Sequence, residues 1–201
     1  MRNDFRETLR ERVLIFDGAM GTSIQDRGLS VDDFEGQEGC NEILVLSRPQ
    51  LVREIHASFL EVGCDAIETN TFGASRLVLG EYGLAEKAYE INRTAARLAR
   101  EVAASLSSSE QPRFVVGAMG PGTRLPSLGQ IAFDELVAMY REQARGLIDG
   151  GADVLLVETG QDLLQAKAGM IGCQDAMTAA GTPRPLMVQV TLEPTGTMLL
   201  G

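Results

Sequence analysis

The sequence predicts an α/β fold in which short parallel strands alternate with longer helices, and three observations carry that prediction. Apolar runs end in an acid and a tight polar stretch at Val13-Leu14-Ile15-Phe16-Asp17, Ala66-Ile67-Glu68 and Val154-Leu155-Leu156-Val157-Glu158. Runs this short, containing Val and Ile, suit strands buried on both faces. The segments between them repeat apolar residues at steps of three and four, as helices packed along one side of a sheet do. An acid at the carboxyl end of such a strand also stands where α/β folds assemble their chemistry.

The elements follow in order. A short polar arm with helical character precedes the first strand, 13–16, and a long polar loop follows, turn-rich at 36–39. Ser47-Arg48-Pro49-Gln50 reads as a helix start: Ser47 can cap, Pro49 suits the first turn and Gln50 completes a capping box. Leu51, Ile55, Phe59 and Val62 continue that helix until Gly63 stops it, and the second strand is 66–69. Leu84, Ala88, Ile91, Ala95, Leu98, Val102 and Leu106 mark a long helix, closed by the loop Ser107-Ser108-Ser109. The third strand, 114–117, runs into Gly120-Pro121-Gly122-Thr123. Asp134 and Glu135 favour the amino end of the next helix, with Leu136, Tyr140, Ala144 and Leu147 on one face and Gly150-Gly151 at its end. The fourth strand ends at Glu158, a helix covers 162–180, and Gly181, Pro183 and Pro185 separate it from the fifth strand, 186–191.

An internal echo runs through this order. Gly63-x-Asp65 precedes Glu68-Thr69, and Gly151-x-Asp153 precedes Glu158-Thr159. Such repetition suits a βα barrel, with a doubly wound open sheet as the alternative that spacing leaves open. A closed barrel needs eight strands. Five are legible here, so residues 1–201 read as the amino-terminal portion of a barrel domain that the segment leaves incomplete.

Composition narrows the function classes. Hydrophobic residues make up 44% and charged residues 23% of 201, which suits one globular domain. The net charge of −10 excludes a nucleic-acid footprint, and scattered Arg and Lys argue against an anionic membrane surface. No apolar run approaches the ~20 residues of a membrane span, and the amino end lacks a secretory h-region, so a cytoplasmic location is expected. Cys40, Cys64 and Cys173 are odd in number and widely spaced, as reduced thiols would be.

Each candidate motif has a functional and a structural reading. Asp17-Gly18-Ala19-Met20-Gly21-Thr22 lacks both phosphate-loop patterns, and its acid would repel phosphate. It suits a turn that brings backbone N–H groups and Asp17 to a small polar ligand, or an acid that only caps the turn. Strand alternation puts Glu158 on one face with Leu156 and Val154. An acid there needs a partner; a substrate ammonium would serve, and so would a neighbouring Arg or Lys. Glu68-Thr69-Asn70-Thr71-Phe72 supplies an acid, two hydroxyls and an amide, with Asn70 able to meet a ligand carboxylate or to close the strand as an Asx turn. The cysteines and His56 have no zinc-ligand spacing and read as structural, so no metal ligand is assigned in this segment. Nothing here favours a sugar substrate for paired carboxylates, and there is no Trp platform.

In order, Asp17-Gly18-Ala19-Met20-Gly21-Thr22, Gly39-Cys40-Asn41-Glu42-Ile43-Leu44, Glu68-Thr69-Asn70-Thr71-Phe72-Gly73, Gly120-Pro121-Gly122-Thr123, Gly151-Ala152-Asp153, Glu158-Thr159 and Thr195-Gly196-Thr197-Met198-Leu199 resemble the homocysteine S-methyltransferase family. The similarity is greatest to its cobalamin-dependent, methionine-forming branch. The resemblance implies a (βα)8 TIM-type barrel, incomplete here at about five βα units, that binds homocysteine at the carboxyl ends of its strands. It implies Asp17, Gly18 and Glu158 around the substrate's amino-acid end, with Glu158 on the α-ammonium, and Asn70 and Thr69 at the mouth. It also implies a zinc ion held by three cysteines that activates the substrate thiol, with methylcobalamin and methyltetrahydrofolate on later modules of the polypeptide. The family's Asn-Cys and Gly-Gly-Cys-Cys segments do not occur in 1–201. The segment by itself is therefore expected to be inactive, with no catalytic residue assigned within it. The alternatives are a stand-alone or reductase-fused homocysteine methyltransferase using another donor, and a non-catalytic half-barrel binding or scaffold protein.

Overall fold

The structure, a computed structural model, describes residues 4–200. Its centre is a parallel sheet of four strands in sequence order: β1 (Ala66–Glu68), β2 (Phe114–Met119), β3 (Val154–Gly160) and β4 (Leu186–Val190). Registers pair Glu68 with Val116, Val116 with Val154, and Leu156 with Met187. Unbroken sequence order in a parallel sheet is the arrangement of a barrel segment, since a doubly wound sheet reverses its order part-way.

The expected first strand is only partly realised. Phe16 makes a single parallel bridge to Ala66, and the N–H groups of Asp65 and Ala66 both donate to the Ile15 carbonyl. The physical reason is the empty outer side of this segment, where Val13 is 83% and Ile15 59% exposed. With one neighbour, the ladder stops at one bridge. The five strands expected from sequence are thus four strands and one extended segment.

The helices are α1 (Phe5–Glu11), α2 (Met20–Gln25), α3 (Leu44–Ser47), α4 (Pro49–Glu61), α5 (Arg76–Gly80), α6 (Ala88–Ser105), α7 (Phe133–Gly150) and α8 (Leu163–Ala180). α4 begins at Pro49 as expected, but Ser47 does not cap it: the Ser47 hydroxyl donates to the Asp33 and Ile43 carbonyls, and Arg48 holds the cap position. The stripe beginning at Leu84 becomes helical later than expected, because a 3-10 turn at Ala85–Lys87 precedes α6. α7 and α8 end on Gly151 and Gly181, whose left-handed backbones close the last turn.

Alternation along the strands divides the core in two. Ile67, Val115, Met119, Leu155 and Val157 face the helix layer of α6, α7 and α8 and pack with Ala99, Tyr140, Leu147 and Ala168. α7 and α8 cross so closely that a Cβ on Gly172 would lie 2.7 Å from the Val137 carbonyl oxygen. On the inner face, Leu14, Ala66, Phe114, Val116, Val154 and Leu156 pack with Phe5 of α1. The Phe5 and Phe114 rings meet edge to face at 5.3 Å. α1 thereby covers the inner face at the amino ends of the strands.

The sequence echo is a repeated joint. Asp65 accepts from two guanidinium nitrogens of Arg12 at 2.8 and 2.7 Å and from the Ile15 N–H at 2.9 Å. Asp153 accepts from Arg100 and from the Val115 N–H at 2.9 Å, and its own N–H donates to the Val115 carbonyl. Each Asp bolts the start of one strand to its predecessor. Buried Arg113 adds donations to the Leu60, Gly63 and Cys64 carbonyls, fixing the turn from α4 into β1. This end of the sheet holds the fold, which leaves the carboxyl end for chemistry.

Candidate functional site

Three acids gather at the carboxyl ends. Asp17 follows the extended segment beside β1, and both its oxygens accept the Glu68 N–H, at 3.0 and 3.1 Å. Glu68 ends β1 and Glu158 lies near the end of β3, on the inner face by alternation with Val154 and Leu156. Burial raises the Asp17 carboxyl to about 7 against the Glu68 N–H that lowers it, with the charges of Glu68 and Glu158 adding to the rise. Burial and then the charge of Glu68 raise Glu158 to about 7, and burial also raises Glu68. Among the described residues no Arg or Lys forms an ion pair with any of the three. The cluster is short of positive charge.

Backbone irregularity directs Glu158. The β3–β4 register shifts between Val157 and Gly160, so Glu158 and Thr159 together stand opposite Gln189. Thr159 is left-handed at φ 56°, which for a β-branched residue costs on the order of 1–2 kcal/mol. Such a bulge turns the strand and re-aims the side chains beside it.

The loops around the acids are bound to one another. Asn70 donates to the Asn41 carbonyl at 2.7 Å, and Glu42 accepts the Gly73 N–H at 2.8 Å, so the long first loop is held over the end of β1. The Thr69 hydroxyl bonds the Thr71 hydroxyl and accepts the Ala118 N–H, while Thr71 donates to the Ala118 carbonyl. Gly18 lies under the Phe59 ring, where a Cβ would be 3.1 Å from it. Asp162 accepts from Ser127 and from the Leu164 N–H, tying the loop after β2 to the start of α8.

Asp17 and Glu158 thus stand with Glu68 at the carboxyl ends of the strands, while Gly18 lies against Phe59 on the helix side. Thr69 and Asn70 are beside these acids but buried, with the Thr69 hydroxyl and the Asn70 amide nitrogen engaged by the protein. Sequence reasoning gave no role to Asn41, Glu42, Thr159, Asp162 or Gln189. Gly39-Cys40-Asn41-Glu42 was visible as a motif, whereas nothing in the sequence marks a bulge at Thr159. A cleft of about 1280 Å³ lies elsewhere, on the outer helix layer among Leu77, Arg124, Met139, Arg141 and Ala180. A sheet face open at its side does not enclose volume, so size does not locate this site.

A homocysteine S-methyltransferase family model matches residues 14–201. The chain belongs to the homocysteine S-methyltransferase family. It is 50% identical over 198 residues to methionine synthase of Mycobacterium leprae and 48% identical over 198 residues to that of Mycobacterium tuberculosis. The match covers 98% of this chain but only 16% and 17% of those proteins. In structure it is similar to the homocysteine methyltransferase MmuM from Escherichia coli, metallated and apo forms, at TM-scores of 0.75 and 0.70 and 22% identity. Those alignments cover 98% of this chain and 69% and 66% of theirs, and they establish the barrel-type fold. The zinc that the resemblance implies does not fit the cysteines present. Buried Cys40 lies 3.9 Å from Glu42, Cys64 donates to the Phe16 carbonyl, and Cys173 packs in the helix layer. Among the described residues no three His, Cys, Asp or Glu side chains form a metal-ligating group.

Proposed function

We propose that residues 1–201 are the amino-terminal portion of a homocysteine-binding barrel in a methyltransferase that makes methionine. The observation that carries this reading is Glu158: an acid raised to about 7, on the inner face beside Asp17 and Glu68, with no ion-pair partner among the described residues. An α-ammonium supplies the missing charge. Glu158 accepts its hydrogen bonds, Asp17 and Gly18 order the first loop beside it, and Thr69 and Asn70 hold the mouth. Zinc ligands belong, in this reading, to other parts of the polypeptide, as do modules for cobalamin and methyltetrahydrofolate; the methionine synthases matched are long enough to carry such modules, since the match covers only 16% and 17% of them. A cytoplasmic location fits the three free thiols, and no described helix is long and apolar enough to cross a membrane.

The test is homocysteine titration of the complete polypeptide that the reading frame encodes. Glu158→Ala should weaken binding about tenfold or more, the loss of a charge-assisted hydrogen bond, and Glu68→Ala should weaken it less. Equal losses remove Glu158 from this role.

A further inference from the structure

We infer that Gln189 is the residue that receives the carboxylate of the substrate amino acid. This rests on the reading of the acid cluster as an ammonium site. Its own basis is the register of the last two strands. Val157 pairs with Val188 and Gly160 with Val190, so Gln189 alone stands opposite Glu158 and Thr159. Its side chain is on the inner face. Leu186 packs with the helix-side core, Met187 packs with the inner core, and Val190 reaches back toward Gly160 and Ala166 on the helix side. Alternation therefore places Gln189 with Met187, on the side that Glu158 occupies. Gln189 is exposed, and among the described residues no hydrogen bond engages its amide. Residues facing each other on neighbouring strands have side chains starting about 5 Å apart, close enough for one α-amino acid to meet both.

The chemistry of the pair is complementary. An amino acid carries a cation and an anion on one carbon, and the three acids serve only the cation. Among the described basic residues of the surrounding loops, Arg27 pairs with Glu54 and Arg76 with Glu86 and Glu142, while Arg124 lies at the outer cleft, away from this face. The Asn70 amide is donated to Asn41. Gln189 is an exposed side-chain amide on this face that is free to donate. A neutral donor also suits the position better than a cation, because an Arg opposite Glu158 would pair with it and compete with the substrate ammonium.

The experiment compares L-homocysteine with its decarboxylated analogue, 3-aminopropane-1-thiol, in calorimetric titrations of the complete polypeptide. Gln189→Leu should weaken homocysteine about tenfold and leave the analogue unchanged, as loss of a hydrogen bond to a charged group requires. Gln189→Glu should weaken homocysteine further and tighten the analogue, a change of opposite sign that altered folding cannot produce. Parallel changes for the two ligands, or unchanged affinities in both variants, overturn the assignment. If the unsubstituted protein binds neither ligand, the ammonium-site reading falls and this assignment falls with it.

Discussion

Asp17 and Glu158 each hold a proton near neutrality, because burial and neighbouring acids oppose their charge. A ligand cation reverses that balance, so binding must expel protons, and affinity for an ammonium should rise with pH. Between pH 6 and 8 a group near 7 passes from mostly protonated to mostly ionised. Homocysteine affinity should increase about tenfold per coupled acid across that interval; titration in buffers of different ionisation heat measures the released protons, and a flat profile refutes the coupling. His56 acts in the other direction and on stability. It is fully buried in α4, neither ring nitrogen has a hydrogen-bond partner among the described residues, and burial lowers it to about 4. The unfolded chain takes up a proton near 6.5 that the folded protein accepts only near 4, so stability contributed by neutral His56 is present above 6.5 and lost as pH falls through that window. His56→Leu should flatten that loss in urea unfolding at pH 7, 5.5 and 4.5, and an unchanged slope would assign it to other groups. Asp17 and Glu158 were legible in the sequence because each ends an apolar run. Gln189 and Thr159 were not, since a bulge is a relation between two strands, and the engagement of Asn70 depends on Asn41, 29 residues away.

The Asp65 and Asp153 joints carry the prediction that belongs to elements. Each joins a guanidinium and a neighbouring strand's N–H, and the Asp153–Arg100 pair is largely shielded, at 16% and 18% exposure. Asp153→Ala leaves Arg100 and the Val115 N–H without an acceptor and should cost about 2 kcal/mol. Glu86→Ala removes a contact to Arg76 from an acid 86% exposed and should cost under about 0.5 kcal/mol. Urea midpoints decide it, and equal shifts would show that the joint does not hold the strands. At this scale the sequence was most informative for α4, α6, α7 and α8, whose apolar stripes run through several turns. It was silent on α2, α3 and α5, at four to six residues too short for a periodic signal. The repeated Gly-x-Asp was visible as an echo, but Arg12 and Arg100 precede their partners by 53 residues, which only the fold brings together.

For the molecule as a whole, apolar surface is concentrated at the sheet edges. β4 and the segment after it expose Val188, Val190 and Leu192, and α8 beside them exposes Leu163, Leu164, Met170 and Ile171. An unpaired, apolar strand edge is a template for association. The 201-residue chain should scatter light increasingly with concentration, and a Met170→Lys, Leu192→Lys variant should suppress this without altering the far-UV spectrum. Persistent association in that variant would place the adhesive surface elsewhere.

α1 has a separate consequence. Because its Phe5 packs on the inner face at the strands' amino ends, that end of the sheet is filled by apolar side chains, while Glu68 and Glu158 stand at the opposite end. The molecule is polarised into an apolar, packed base and an acid-lined rim. Changes at the base should register in melting curves and those at the rim in titrations, which lets the two ends be engineered independently.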